Sequence, residues 1–319
     1  MRRALVLVAV ATLAAVVVAL PFVAGNYLIR LASFAMMYSV LALSWNFIGG
    51  LAGYPSFATA AFFGLGAYAG AIAQGHDVPI VLAWLAAGAL AAIFAGGLGL
   101  ALLHLRGHYF AIASLVVGEV LREIANTSTQ LTGGGMGLNL PILRLGVTAQ
   151  ARLFYFVLAG LAALTLAASL LVDRHRLGVG LRAIQQNEDA ASMVGIDATR
   201  YKTIAFVLSA AFVGAAGAAY ASWVNYIEPA DVFDVLLSVK PIVMVLLGGA
   251  GTMLGPVVGA MVFLALEELV WRNFLTIHAG LLGLIIVALI FFLPRGLLAL
   301  DVRLLALNVR RRFARGRPA

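Results

Sequence analysis

ALVLVAVATLAAVVVAL, residues 4–20, is a run of seventeen apolar or small residues that follows Arg2 and Arg3. A basic start before an apolar stretch imitates a secretory leader, whose apolar part is roughly 7–15 residues long, whereas a spanning helix needs roughly 17–25. The length favours a first membrane span. Comparable runs follow at Tyr27–Ile48, Pro55–Ala73, Ile80–Leu103, Tyr109–Leu131, Leu153–Val172, Tyr201–Trp223, Leu236–Ala250, Leu254–Val270 and Leu275–Leu293. The expected fold is therefore an all-α polytopic membrane protein of about ten transmembrane helices.

Composition agrees with that reading. The 319 residues are 63% hydrophobic and 11% charged, and the mean hydropathy is +1.05; a soluble domain is about 45–50% apolar and about 25% charged. With no cysteine, disulfide frameworks and thiolate-bound metal sites are excluded. The net charge of +8 would suggest nucleic acid in a soluble chain, but here it marks topology and no nucleic-acid partner is expected. Fifteen of the 21 Lys and Arg fall at Arg2 and Arg3, at Arg106, in the set Arg174, Arg176, Arg182, Arg200 and Lys202, and from Arg295 to Arg317. Ten alternating spans put these four groups on one side and Asp77, Glu228, Asp231 and Asp234 on the other. Cytoplasmic loops retain Lys and Arg, so both termini are expected in the cytoplasm. Residues 1–294 form the expected transmembrane domain, and 295–319 a basic cytoplasmic tail whose leucines suit a membrane-surface helix drawn to anionic lipid.

Small residues four apart, at Gly66/Gly70, Gly88/Ala92/Gly96, Ala210/Gly214/Ala218 and Gly251/Gly255/Gly259, predict helix seams with close backbone approach. Two glycine-rich stretches, Gly49-Gly50-Leu51-Ala52-Gly53 and Gly248-Gly249-Ala250-Gly251, resemble each other, as an internal repeat would. Residues 236–270 count as two short spans meeting at Gly248-Gly249-Ala250-Gly251, with a re-entrant hairpin or one broken helix as the alternatives.

Catalytic sets are missing from the sequence. Neither lysine, Lys202 or Lys240, lies in a phosphate-binding loop, so ATP hydrolysis is not expected in this chain. No Gly-x-Ser-x-Gly elbow or His-Glu-x-x-His pair is present. His104 and His108 have the spacing of two metal ligands, but Arg106 between them would repel a cation. No metal, cofactor or enzymatic role is expected.

A polar segment, 173–202, interrupts the apolar pattern. Within it Asn187-Glu188-Asp189-Ala190-Ala191-Ser192-Met193-Val194-Gly195 predicts a short helix: Asn187 as the cap, Glu188 and Asp189 at the positive start, Gly195 as the left-handed stop. Ala190, Ala191 and Val194 share a mildly apolar face suited to docking on another protein or packing on its own bundle.

Asp189-Ala190-Ala191-x-x-x-Gly195 resembles the Glu-Ala-Ala-x-x-x-Gly coupling motif of ABC importer permeases, with Asp in place of Glu. Gly178-x-Gly180-Leu181-Arg182-Ala183-Ile184, Gly195-Ile196-Asp197 and Arg200-Tyr201-Lys202 resemble the branched-chain amino acid permease family. So do Gly53-Tyr54-Pro55-Ser56-Phe57, Gly64-x-Gly66-Ala67-Tyr68 and Leu247 through Pro256. Arg106-Gly107-His108-Tyr109-Phe110, Gly118-Glu119-Val120 and Thr132-Gly133-Gly134-x-x-Gly137 are similar to its LivM-type subunit. The resemblance covers nearly the whole chain.

It implies a type II importer permease bundle in the inner membrane of a bacterium, a LivH-type permease partner, two cytoplasmic ATPases and a periplasmic binding protein. The implied solutes are leucine, isoleucine and valine, with aromatic acids, other amino acids, amides or urea as alternatives. Arg182, Asn187, Glu188, Asp189, Ala190, Ala191 and Gly195 are the implied ATPase-coupling residues, and Thr199 is expected to cap the next helix. Asn46, Ser56, Thr59, Ser114, Glu119, Arg122 and Asn126 are candidates for the weak polar contacts of a translocation path or subunit seam. Glu119, Arg122 and Glu123 lie where charge is costly unless it faces protein or water, and helical spacing lets Arg122 meet Glu119. An ion-coupled secondary transporter is the main rival class; it would need no docking helix.

Overall fold

The computed structural model describes residue 15, residues 17–273 and scattered positions at 280, 283–284, 287–288 and 296–298. The expected spans Ala4–Leu20 and Leu275–Leu293 and the tail 295–319 lie for the most part outside the described residues. Of the twelve α-helices among the described residues, the ten of six residues or more are α1 Asn26–Trp45, α2 Thr59–Gly75, α3 Ile80–Leu102, α4 His108–Thr127, α5 Val147–Arg174, α6 Arg176–Gln186, α7 Glu188–Met193, α8 Ala198–Val224, α9 Leu236–Gly248 and α10 Gly255–Asn273; the other two, Thr129–Thr132 and Pro229–Val232, are single turns. Two-residue strands β1, Leu138–Asn139, and β2, Tyr226–Ile227, pair antiparallel with Leu138 opposite Ile227. Among the described residues, four helical stretches are long and apolar enough to cross a membrane: Asn26–Gly50, α3, α5 and α8.

Helix α8 is the axis of the bundle, packed chiefly against α2 and α3. Lipid tails are as apolar as leucine, so helices here associate by close van der Waals fit and not by escaping water. The sequence supplies that fit with glycine and alanine. A Cβ on Gly66 would overlap the Gly214 carbonyl, and one on Gly217 the Phe63 carbonyl. The α3 seam is shifted from the expected Gly88/Ala92/Gly96 row. Ala83, Ala87, Ala91 and Ala95 are the buried row, with Gly88 beside it, while Ala92 is only half-buried. Both rows have a four-residue period; Gly96 merely meets Val207 at ordinary contact distance. Near the far end Gln74, Trp84 and Ser222 tie the three helices together, with Gln74 Nε2 and Trp84 Nε1 donating to Ser222 Oγ over 2.8 and 3.0 Å.

Three expected spans are modified. The run from Pro55 becomes helical only at Thr59, because Pro55 and its neighbours hold an irregular course through Leu51–Ala58. The run Tyr109–Leu131 stops at Thr127, where Ser128 leaves helical geometry and Thr132 Oγ1 donates to the freed Ala125 carbonyl over 2.6 Å. The run Leu236–Ala250 gives α9, 13 residues with Pro241 inside, hence about 20 Å long against a hydrocarbon core of about 30 Å. It folds back on α10 as a hairpin, with Gly248 and Gly259 permitting backbone contact.

The ends of the bundle are chemically distinct. Arg106, Arg174, Arg176, Arg182 and Arg200 cluster where α3, α5 and α8 meet α6 and α7, whereas Asp77, Glu228, Asp231 and Asp234 flank the opposite helix ends. The two glycine-rich stretches, the first continuing α1 as a π-helical turn over Asn46–Gly50, meet at the basic end: Gly251 N donates to Asn46 Oδ1 over 2.9 Å and Asn46 Nδ2 to the Thr252 carbonyl over 3.0 Å.

Candidate functional site

At the basic end, α7 begins as its sequence requires. Asn187 Oδ1 accepts from Ala190 N over 3.0 Å, Glu188 and Asp189 occupy the positive first turn, and Gly195 takes φ +86°. The next cap is Asp197, not Thr199: Asp197 Oδ1 accepts from Arg200 N over 3.0 Å. A carboxylate accepts the cap hydrogen bond readily, and Thr199 already lies within the first turn of α8. The expected common face of Ala190, Ala191 and Val194 is divided. Ala191 packs into the bundle, while Ala190, Met193 and Val194 face outward, because adjacent positions on a helix are about 100° apart. A notch of about 440 Å³ beside α7 is lined by Glu188, Ser192, Gly195 and the start of α8 through Thr199.

Both carboxylates at the start of α7 are tied to other elements. Asp189 pairs with Arg106, before α4, over 2.8 Å; the hydrogen bond and charge of Arg106 lower the Asp189 carboxyl below its ordinary value. Glu188 Oε1 accepts from Lys202 Nζ, in α8, over 2.9 Å, and Glu188 Oε2 accepts from Tyr54 Oη. Burial pushes the Glu188 carboxyl up, but hydrogen bonds from Tyr54 and Lys202 and the charges of Lys202 and Arg106 reverse this and leave it low. Lys202 has 0% exposure and also donates to the Leu103 carbonyl over 2.9 Å and to Tyr54 Oη over 3.0 Å. Arg182 pairs with Asp173, joining α6 to the end of α5, and Gln185 Nε2 donates to the Gly50 carbonyl over 3.0 Å.

The seven path candidates fall in three places. Asn46 is buried between the two glycine-rich stretches, both ends of its amide spent on backbone. Ser56, Thr59 and Ser114 gather at the irregular start of α2, all buried. There Phe57 N donates to Ser114 Oγ over 2.9 Å, Trp45 Nε1 to the Ser56 carbonyl over 2.7 Å and Ala58 N to Ser56 Oγ over 3.2 Å. Ser238, in α9, completes the seal by accepting from Ala60 N over 2.9 Å and donating to the Phe57 carbonyl over 2.7 Å. Irregular backbone in a spanning protein needs such cover. Glu119, Arg122 and Asn126 lie on the half of α4 toward the acidic end. Arg122 Nη1 sits 3.5 Å from Glu119 Oε2, with side chains 40% and 46% exposed. They share an open face of α4 with Ile112, Val116, Val120, Glu123 and Ile124.

Sequence reasoning gave no role to Lys202, Tyr54, Trp45 or Ser238. A usable signal was present for Lys202, one of two lysines and placed near the start of an apolar run. Ser238 carried none, since its partners are 178 and 181 residues away.

A largely helical chain with four stretches long and apolar enough to cross a membrane fits a multi-pass membrane protein. The family described as "Branched-chain amino acid transport system / permease component" matches residues 27–294, and the chain belongs to that family. It is 29% identical over 93% of its length to the high-affinity branched-chain amino acid transport system permease protein LivM of Escherichia coli K12, covering 75% of that protein. It is 28% identical over 89% of its length to the LivM protein of Salmonella typhimurium LT2, covering 72%. No solved structure matched the chain.

Proposed function

We propose that the chain is one permease half of an ABC importer for leucine, isoleucine and valine. It pairs with a LivH-type permease, receives solute from a periplasmic binding protein and is driven by two cytoplasmic ATPases. The observation that carries the reading is α7: a capped helix presenting Ala190, Met193 and Val194 outward while Glu188 and Asp189 tie it to three other elements. In this reading 173–202 is the coupling segment, with Arg182 and Asn187–Gly195 its working residues. The basic end lies in the cytoplasm, about ten spans cross the inner membrane within 1–294, both termini are cytoplasmic, and 295–319 is a basic tail on the lipid surface.

The open face of α4 supports the partner permease. Glu119 and Glu123 are exposed on a helix of a membrane protein, and charges there are costly against lipid; another subunit or a water-filled path must cover them. Glu119, Arg122 and Asn126 then border the seam or path. Ser56 and Ser114 hold the broken start of α2 beside it, with Thr59 buried next to them, and Asn46 joins the two glycine-rich stretches beneath. Other amino acids, aromatic acids, amides or urea remain solutes to compare.

The test is uptake by the reconstituted complex. Glu188→Lys with Asp189→Lys, or Gly195→Trp, should abolish uptake and its stimulation of ATP hydrolysis while the chain still inserts. At Gly195 the space is open but φ +86° strains any side chain, so Trp alters the helix stop and adds bulk on the docking side. Unchanged uptake and hydrolysis in both variants would reject α7 as the docking element. Competition among leucine, phenylalanine and urea decides the solute class.

A further inference from the structure

We infer that Lys202 is a positioning residue that carries movement of α7 to the broken start of α2. This rests on α7 being the ATPase-docking element, but it concerns a different face of that helix. The docking side looks outward through Met193 and Val194, whereas Lys202 holds the inward side through Glu188.

Lys202 is a fully buried cation whose three hydrogen bonds go to three separate segments: Glu188 on α7, Tyr54 on the turn after α1, and the carbonyl of Leu103 at the end of α3. Stability alone does not require such a group, since a buried ion pair is commonly replaced by apolar residues at no loss. Its geometric consequence is that α7, the α1–α2 turn and the end of α3 cannot shift independently while the ammonium keeps its partners. The contact continues inward. The Tyr54 ring packs edge-on against Phe110 with centroids 5.7 Å apart, Phe110 against Phe206 at 6.0 Å, and Phe206 against Phe62 at 5.0 Å. Phe62 N donates to the Ala58 carbonyl over 3.0 Å, so the file ends in the first turn of α2, next to Ser56. Dense, interlocked aromatic packing passes displacement instead of absorbing it.

The chain is assembled with its partner permease, ATPases and binding protein in nanodiscs, and Lys202→Met, Glu188→Gln and their double variant are compared. Lys202→Met should leave the ATPases co-purifying, because the outward face of α7 is untouched, yet reduce stimulation of ATP hydrolysis by solute-loaded binding protein about tenfold, within the usual range of site-to-site coupling. Glu188→Gln alone should lower thermal stability most, since it strands a buried ammonium. The double variant should recover that stability while stimulation stays lost. Normal stimulation in Lys202→Met, or recovery of stimulation together with stability in the double variant, would overturn the inference and leave Lys202 a packing residue. Met193→Asp separates the two readings: if the ATPases still bind that variant normally, the docking assignment fails, whatever Lys202 does.

Discussion

Glu119 and Arg122 illustrate how much one pair depends on what surrounds it. In water, a pair 3.5 Å apart with both side chains 40–46% exposed contributes about 0–1 kcal/mol. Covered by a partner permease, the same pair becomes an internal one, and removing a single member would cost about 3–5 kcal/mol by stranding the other charge. The prediction has two arms. In the assembled transporter, Glu119→Gln or Arg122→Gln should impair uptake more than the double variant does. In the isolated chain the three variants should unfold at similar temperatures. Additive losses in the assembled double variant would reject a direct pair, and equal effects in both settings would reject cover by the partner.

Among the elements, the break before α2 is the most exacting. Ser238 supplies one acceptor and one donor to the backbone of Phe57 and Ala60, and a buried backbone group left without a partner costs about 1–3 kcal/mol. Ser238→Ala should therefore destabilise the detergent-solubilised chain by about that amount, read from thermal or denaturant unfolding, and Ser238→Thr should recover much of it. An alanine variant as stable as the parent would show that the seal does not depend on this hydroxyl. The same break marks the limit of what sequence discloses. Helices α1, α3, α5 and α8 were legible because apolar length is a local property, and the Asn187 cap and Gly195 stop because their chemistry is local too. The shortness of α9 and its return as a hairpin were among the alternatives the short run Leu236–Ala250 offered, but the start of α2 was not legible, since Ser238 reaches Phe57 from 181 residues away, nor was the end of α4, where the Thr132 hydroxyl takes up the Ala125 carbonyl seven residues back and nothing in the apolar pattern marks it. The α3 seam failed for a subtler reason, because two rows of small residues with equal spacing compete and only the facing helix selects one. At the candidate site, Asn187, Glu188 and Asp189 were legible from their pattern, but Lys202 and Tyr54 reach Glu188 from α8 and from a turn 134 residues earlier.

For the whole molecule, the arrangement at the basic end decides which parts travel together during alternating access. Gln185 of α6 lies against the turn after α1, donating to the Gly50 carbonyl over 3.0 Å, while Tyr54 and Lys202 bind the same turn to α7. If these contacts persist through the cycle, α6, α7 and the turn form one moving body, and the relative motion occurs elsewhere, where the bundle meets its partner permease. The chain has no cysteine, so a disulfide can be placed without background. A Cβ built on Gly53 would stand 3.7 Å from Gln185 Cβ, close to the mean separation of about 3.8 Å in disulfides. The cost is at Gly53, whose φ of +73° strains a cysteine by about 1–2 kcal/mol; the reduced Gly53→Cys/Gln185→Cys protein is therefore the proper reference. Oxidation should leave uptake at the level of that reduced reference, because the bond joins two segments that already move together. A loss of uptake on oxidation, reversed by reductant, would mean that α6 parts from the turn in each cycle, and the rigid unit would have to be redrawn with its hinge between Gly53 and Gln185.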